Sequence, residues 1–306
     1  MLSKPSITAI ILTFNEEIHL QRCLDSLQSI CDNIIVVDSF STDQTKDIAL
    51  KNKVKFFQNP WVNYATQFNW GLKNTNIDTD WVLRIDADEY LSDELQQQLK
   101  NNLPLLNKDI NGVFVKRLMY FFGKPLKKAG MYPIWHLKIW RHGAAFCEQR
   151  WMDERMKITQ GETTELQGDL IDHNLNNLTN WTQKHNGYAT REAIDILNSM
   201  YNFKNTASVK ANLFGNGEER RRWFKTRYLK LPLFIRPFLF FIVRYVFQGG
   251  FLEGKRGFIW NVLQCGWYRF LVDAKIYEAY RKAGRNRESL ITYFKNEYGY
   301  DITKVN

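Results

Sequence analysis

The chain has no Gly-x-Gly-x-x-Gly after its first apolar run and no Gly-Lys-Ser or Gly-Lys-Thr anywhere. This excludes the dinucleotide fingerprint and the phosphate-cradling loop, so any diphosphate must be held by side chains and a cation. Its four cysteines, Cys23, Cys31, Cys147 and Cys265, never fall in Cys-x-x-Cys spacing. A thiolate metal site is therefore not expected, and reduced thiols fit a cytosolic compartment. The N-terminus lacks a basic region followed by an apolar core, so no signal peptide is expected. A spanning helix needs about 20 apolar residues; the apolar stretch 231–247 is interrupted by Arg236, Pro237 and Arg244. No internal repeat or low-complexity segment stands out.

What the chain does have is length and apolar content. With 306 residues and 44% hydrophobic composition it can bury one large core with an appendage, or two modest domains. Apolar runs alternate with helical patterns four times in the first 90 residues: Ser6 to Thr13, Ile34 to Asp38, Val54 to Gln58 and Trp81 to Ile85, with helices over Ile18 to Leu27, Gln44 to Lys51 and Tyr64 to Lys73. That alternation predicts an α/β fold, an open parallel sheet with helices on both faces and its strand ends along one edge. Thr13, Asp38 and Asp86 are expected to line this edge.

Asp86-Ala87-Asp88-Glu89 crowds three carboxylates at the point where the fourth strand emerges. Strand ends of parallel sheets are where ligands bind, and an all-oxygen donor set suits a hard ion such as Mg²⁺ or Mn²⁺. The same residues also read as an acidic turn before a helix capped by Ser92. Asp38 is suited to a nucleobase or ribose, and Thr13 and Asn15 to a base edge.

Taken in order, Thr13-Phe14-Asn15-Glu16-Glu17, Val37-Asp38-Ser39-Phe40-Ser41-Thr42-Asp43, Gln67-Phe68-Asn69-Trp70-Gly71 and Asp86-Ala87-Asp88-Glu89 resemble family 2 glycosyltransferases, over about the first half of the chain. The chain is similar in particular to the branch containing lipopolysaccharide-core β-1,4-glucosyltransferases, and this finer likeness extends toward the C-terminus. The resemblance implies a GT-A fold, a nucleotide-sugar donor, a divalent metal (Mn²⁺ or Mg²⁺) and inversion at the anomeric carbon. By it, Asp88 ligates the metal, Asp86 touches the metal-bound water or ribose, Asp38 reads the base, and His173 contacts diphosphate or metal. Thr13, Asn15, Glu17, Asp43, Gln67, Asn69 and Arg84 complete the donor-binding set.

An inverting transfer is a single displacement, and it needs a carboxylate beside the acceptor hydroxyl. Trp151-Met152-Asp153-Glu154-Arg155 carries the candidates. The resembling branch commonly has His-Glu here; Asp153 replaces the histidine, so Glu154 is the expected base and Asp153 the alternative. An acid pair balancing Arg150 and Arg155 is the plainer reading. Trp181, Lys184, His185 and Tyr188 could shape an acceptor site or simply pack.

Charge is unevenly placed. Residues 201–306 hold 20 Lys and Arg against 8 Asp and Glu, a surplus of +12 in a chain whose net charge is +10. Aromatics and cations alternate there, and the apolar density of 231–247 fits a lipid surface better than a nucleic-acid groove. The expected organisation is a GT-A domain over 1–175, a helical acceptor-side connection over 176–215, and a basic amphipathic helical region for membrane association over 216–306. The expected function is transfer of a hexose from a nucleotide-diphosphate sugar, UDP-linked, to a lipid-linked glycan of a bacterial surface polysaccharide or lipopolysaccharide. The partners are the donor, that acceptor and an anionic membrane, with no nucleic acid; the place is the cytoplasmic face of the inner membrane. The alternative is a catalytically inactive nucleotide-sugar-binding scaffold.

Overall fold

A computed structural model describes residues 6–149, 154–203 and 217–303, with only the backbone described for 217–222. The described residues divide into two units, one of 6–149 with 154–176, the other of 177–203 with 217–303.

In the first unit β1 (Ile7–Thr13), β2 (Asn33–Asp38), β3 (Lys55–Gln58) and β4 (Trp81–Asp86) are joined by α1 (Leu20–Leu27), α2 (Thr45–Lys51) and α3 (Tyr64–Asn74). All four strands run parallel, in the order β3-β2-β1-β4. β1 is buried along nearly its whole length, as an interior parallel strand covered on both faces must be. Register places Thr13 opposite Asp38 and Leu12 opposite Asp86, so the expected edge forms. α1 starts at Leu20 rather than Ile18: Glu16 O takes the N–H groups of both His19 and Leu20 in a tight turn that leaves Ile18 exposed.

Beyond β4 the sheet departs from the expectation of a mostly parallel sheet. β5 (Glu89–Leu91) and α4 (Asp93–Asn101), the latter capped by Ser92 Oγ on the Leu95 N–H, are followed by β6 (Ile110–Phe121), β7 (Lys124–Pro125), β8 (Ile134–Arg141), β9 (Ala145–Cys147), β10 (Met156–Ile158) and β11 (Glu162–Asp172). β8 lies antiparallel between β4 and β6, β11 runs parallel to β6, and β5 closes the row antiparallel to β11. The sheet is mixed, in the order β3-β2-β1-β4-β8-β6-β11-β5, with β7 on β6; β9 and β10 form a separate hairpin. β5 follows β4 after two residues yet pairs at the far end of the row. The sheet must therefore curl, and the curl brings its edge back to the end of β4. One apolar layer, including Leu20, Leu24, Leu27, Leu95 and Leu99, covers one face; Phe68, Ala65 and Trp140 belong to the other core.

The second unit is helical: α5 (Leu178–Tyr201), α6 (Gly217–Leu229), α7 (Ile235–Ile242), α8 (Gly254–Trp260), α9 (Tyr268–Ala283) and α10 (Arg287–Tyr298). α8 and α9 are one continuous helix through a π-helical stretch, Asn261–Trp267. Its core unites α5, α9 and α10 through Ala193, Leu197, Val272, Ile276, Leu290 and Phe294. Arg236 is fully buried, its guanidinium on the equally buried Asp273, which also accepts the Phe234 N–H at 2.9 Å.

Candidate active site

The loops after β1 and β2 are stitched together. Asn15 donates its N–H to Ser41 Oγ at 2.8 Å and accepts the Thr42 N–H at 2.9 Å. Glu17 donates its N–H to Asp43 at 3.0 Å and accepts the Gln44 N–H at 3.0 Å. Burial raises the Asp43 carboxyl, but the bonds from Thr45 and from the Glu17 N–H outweigh it and hold the group below the usual carboxylate range. Asp38 is completely buried beneath this pair of loops and accepts from Thr13 Oγ1 at 2.9 Å, the Ser41 N–H at 2.8 Å, Ser41 Oγ, and Gln58 at 3.2 Å. A buried carboxylate with four donors is a fully satisfied strut.

α3 supplies a second set. Gln67 is buried and ties Ser39 Oγ (3.1 Å) to Asn59 (2.7 Å). Asn69 makes a two-pronged bond with the Cys147 backbone, donating to its carbonyl at 2.8 Å and accepting its N–H at 2.9 Å, and so anchors the β9–β10 hairpin. Arg84 donates from Nε to the Tyr64 hydroxyl at 2.8 Å while lying over its ring, and Tyr64 donates to Asp86 Oδ1 at 2.6 Å. Burial and Asp86 push the Tyr64 phenol well up although Arg84 pulls against them, so the hydroxyl keeps its proton.

The acid turn sits where β4, β5, β8 and β11 meet. Lys138 of β8 is buried and donates to Glu89 at 2.6 Å, with Asp86 Oδ2 3.7 Å away; the other link is the Asp86 N–H, which donates to Glu89 at 3.0 Å. Burial pushes the Glu89 carboxyl up to about 7 against the pull of Lys138, with Asp86 and Asp172 adding to the rise. Asp172 is pushed up to about 6, first by burial and then by Asp88, against Arg117 at 3.6 Å. Asp88 accepts Asn174 Nδ2 on Oδ2 at 2.8 Å, and its Oδ1 has no hydrogen bond among the described residues. Burial is the first reason Glu89 and Asp172 resist ionising, and the neighbouring carboxylates Asp86 and Asp88 add to it against Lys138 and Arg117, so added positive charge would be favoured here.

His173 follows β11. Its N–H donates to the Asp88 carbonyl at 3.1 Å and its ring lies 5.0 Å from that of Tyr120. Arg22 of α1 donates from Nη1 to His173 Nδ1 at 3.2 Å and from Nη2 to the His173 carbonyl at 2.6 Å. A guanidinium has no acceptor, so Nδ1 is the acceptor and Nε2 carries the proton. Burial, then Arg22 and His19, lower the His173 pKa and keep the ring neutral. In this arrangement His173 offers an N–H, not a lone pair.

Among the described residues no three His, Cys, Asp or Glu side chains converge to hold an ion by themselves. The donor set still fits a hard ion of the Mg²⁺ kind, which takes one or two carboxylates and completes its shell with water and a substrate's phosphates. Asp88 Oδ1 and the excess negative charge are the features that fit it.

The sequence model of glycosyl transferase family 2 matches residues 8–151, from the start of β1 to just past the β9 edge of the site. The matched segment, a little under half of the chain, is similar to a family 2 glycosyltransferase domain. An uncharacterized glycosyltransferase from Rickettsia bellii is 41% identical over 103 residues, 34% of each chain. The chain therefore spans about a third of the length of the first curated relatives it matches. The lipopolysaccharide core biosynthesis glycosyltransferase of Rhizobium meliloti is 27% identical over 291 residues, covering 93% of this chain and 97% of the relative. Glucosyl-3-phosphoglycerate synthase from Mycobacterium tuberculosis, crystallised with Mn²⁺ and UDP-glucose, is 22% identical over 38% of this chain and 44% of its own, with a TM-score of 0.30, too slight a likeness to bear on the site.

Within the first unit the structure gathers Thr13, Asn15, Glu17, Asp38 and Asp43 at one pair of loops, and Arg84, Asp86, Asp88 and His173 around the acid turn. Gln67 and Asn69 stand behind them as supports. Glu154 lies within electrostatic reach of Cys147, whose thiol burial pushes up to about 12, Arg84 pulls down, and Glu154 and Asp86 raise. Asp153 lies outside the described residues. Sequence reasoning missed Arg22, Lys138, Asp172 and Asn174. Asp172 carried a usable signal, for it ends a strand in an acid as Asp38 and Asp86 do.

Proposed function

We propose that this protein transfers a hexose from a nucleotide-diphosphate sugar, a UDP-sugar, to a lipid-linked glycan in bacterial surface polysaccharide or lipopolysaccharide biosynthesis, inverting the anomeric carbon. The observation that carries the reading is the Oδ1 of Asp88, without a hydrogen bond among the described residues, inside a cluster of carboxylates two of which are pushed up by burial and by their neighbours. The near full-length likeness to the Rhizobium meliloti core enzyme supports the acceptor class.

In this reading Asp88 and Asp86 hold Mn²⁺ or Mg²⁺, which when bound neutralises charge on the departing diphosphate. His173 donates its Nε2–H to a phosphate oxygen, and Arg22 keeps the ring turned to do so. The stitched loops over Asp38 frame the nucleobase through Asn15, Glu17 and Asp43. Arg84 and Tyr64 fix the Asp86 carboxylate so that it does not swing with the substrate. Glu154, or in its place Asp153, accepts the proton of the acceptor hydroxyl as its oxygen attacks C1. The acceptor's lipid anchor places the reaction at the cytoplasmic face of the inner membrane.

The deciding experiment incubates the purified protein with a panel of nucleotide sugars and lipid-linked acceptors, with Mn²⁺ and with chelator. Turnover that needs the ion and disappears in Asp88→Ala supports the proposal; turnover indifferent to both refutes it. A second reading, a nucleotide-sugar-binding scaffold without catalysis, draws on the lack of three converging metal ligands among the described residues. Calorimetric UDP binding with no product from any donor would favour it.

A further inference from the structure

The second unit exposes apolar side chains where a water-facing helical unit would bury them. Phe238, Ile242, Val246, Phe247, Phe251, Leu252 and Phe258 are all exposed, Phe247 at 79% and Leu252 at 64%. They follow one another along the chain through a bend of 67° between the helix Ile235–Phe247 and the helix that begins at Gly250. A contiguous apolar surface of this kind marks a partner or a membrane.

The bend is built into the sequence. A Cβ on Gly250 would lie 2.7 Å from Asn261 Nδ2 and 3.0 Å from the Arg244 carbonyl, and one on Gly257 would lie 2.3 Å from the Gly250 carbonyl. Only glycine allows these two backbones so close. Asn261, itself buried, donates to the Gly257 carbonyl one turn earlier in its own helix at 2.7 Å, with its amide beside Gly250. On the inner side, the Arg236–Asp273 pair fixes the start of α7.

Length decides what such a bend can do in a bilayer. The Ile235–Phe247 helix has 13 residues, about 20 Å at 1.5 Å per residue, against a hydrocarbon core of about 30 Å. It can enter one leaflet but cannot cross. No Asp or Glu occurs from 231 to 252, and exposed Arg227, Lys230 and Lys255 lie on either side of the apolar stretch. A cavity of about 330 Å³ walled by Pro237, Phe238, Phe241, Val262, Trp267 and Phe270 opens beside α7. Its walls are almost wholly apolar, a lining that suits hydrocarbon.

We infer that the bend from Phe247 to Leu252 is a monotopic anchor that dips into a single leaflet of an anionic bilayer, with Arg227, Lys230 and Lys255 at the headgroups. The inference goes beyond the transfer reaction and stands without it. Cations on either side of an acid-free apolar stretch match an anionic lipid surface, whereas a second copy of the chain would bring the same positive charge against itself.

The test uses the full chain with vesicles of phosphatidylcholine alone and with added phosphatidylglycerol. All four native cysteines are buried, so a spin label on Leu252→Cys is selective. Flotation with phosphatidylglycerol vesicles, weakened by salt, and a Leu252 label accessible to oxygen but shielded from a polar nickel complex at one-leaflet depth, is the expected result. Phe247→Asp and Leu252→Asp, at exposed positions, should each weaken vesicle binding about tenfold or more with unchanged circular dichroism and an unchanged melting temperature. A water-exposed label, undiminished binding of both variants, or light scattering that shows a dimer lost in Leu252→Asp would overturn the inference. Loss of turnover with intact vesicle binding would count only against the proposed reaction.

Discussion

Arg22 grips His173 twice, at Nδ1 from 3.2 Å and at the carbonyl from 2.6 Å, and stacks on Tyr90 as it does so. One side chain of α1 thereby sets both the tautomer of a ring and the path of the chain that follows β11. Arg22→Gln should raise the His173 pKa, since the guanidinium is one of the influences lowering it. Nitrogen-detected NMR of the ring would read both the pKa and a loss of tautomer preference. If His173 serves the diphosphate, the variant raises the donor KM several-fold, and Arg22→Lys restores only part of it because lysine lacks the fork.

Asp88 tests the charge balance of the acid turn. Asp88→Asn keeps the size and removes the charge, and transfer should fall about hundredfold or more, the scale of losing a metal-held leaving group. Donor-dependent binding of Mn²⁺, followed by calorimetry, should vanish with it. Glu154→Gln and Asp153→Asn, measured side by side, identify the base as whichever substitution removes turnover while leaving donor binding in place.

Lys138 and Glu89 form a pair with only 5% and 3% of their side chains exposed. Lys138→Met leaves a buried carboxylate without its cation and should cost about 3 kcal/mol in denaturant unfolding. Adding Glu89→Gln removes the stranded charge, so the double variant should recover most of that loss. A simple sum of the two single effects would mean that the residues do not act as a pair.

The Arg236–Asp273 pair makes the same argument in the helical unit. Both side chains are 1% exposed, and Asp273 also caps the Phe234 N–H. Asp273→Ala should cost about 3 kcal/mol or more, read as a lower melting temperature. A fully folded variant at unchanged temperature would show the pair to be dispensable.

His136 gives the pH dependence. Burial first, then Arg117, Lys138 and Arg84, press its pKa down to about 2, and its Nε2 is buried with no partner among the described residues. The folded state refuses a proton that the unfolded chain accepts below its ordinary value of about 6.5. The stabilisation is therefore complete above that value and drains away as pH falls from 6.5 toward 2, at up to about 1.4 kcal/mol per pH unit. Glu89 and Asp172, whose carboxyls are raised to about 7 and about 6, act in the opposite sense over the same range. The His136 contribution is therefore read as the difference in urea midpoint between the wild type and His136→Gln, which should change between pH 7.5 and pH 5 in the direction of a relatively more stable variant at pH 5.

The parallel half of the sheet was legible because each strand there is a continuous apolar run that ends in a polar residue, as at Thr13, Asp38 and Asp86. Pairing made those ends adjacent, Thr13 with Asp38 and Leu12 with Asp86. The other half was not legible. β5 has three residues, too few to show a period, and nothing in a single strand's pattern says that β8 will insert antiparallel between β4 and β6. Lys138 escaped notice for the same reason: on a strand of unknown facing, a lysine reads as solvent-exposed until the partner from β5 arrives. The bend near Gly250 was not legible either, since nothing in the sequence around Gly250 and Gly257 shows which backbone each must let approach.

The curl of the sheet has a consequence for what can be separated from what. Asp88 and Glu89 are fixed by β11 and its continuation, through Asp172 opposite Glu89, the His173 amide on Asp88 and Asn174 on its carboxylate. A protein cut after residue 151 would keep the whole family-matched segment and still leave its acid turn without that brace. Any excised version of this domain must run to Leu175, whose amide is clasped by the His19 ring.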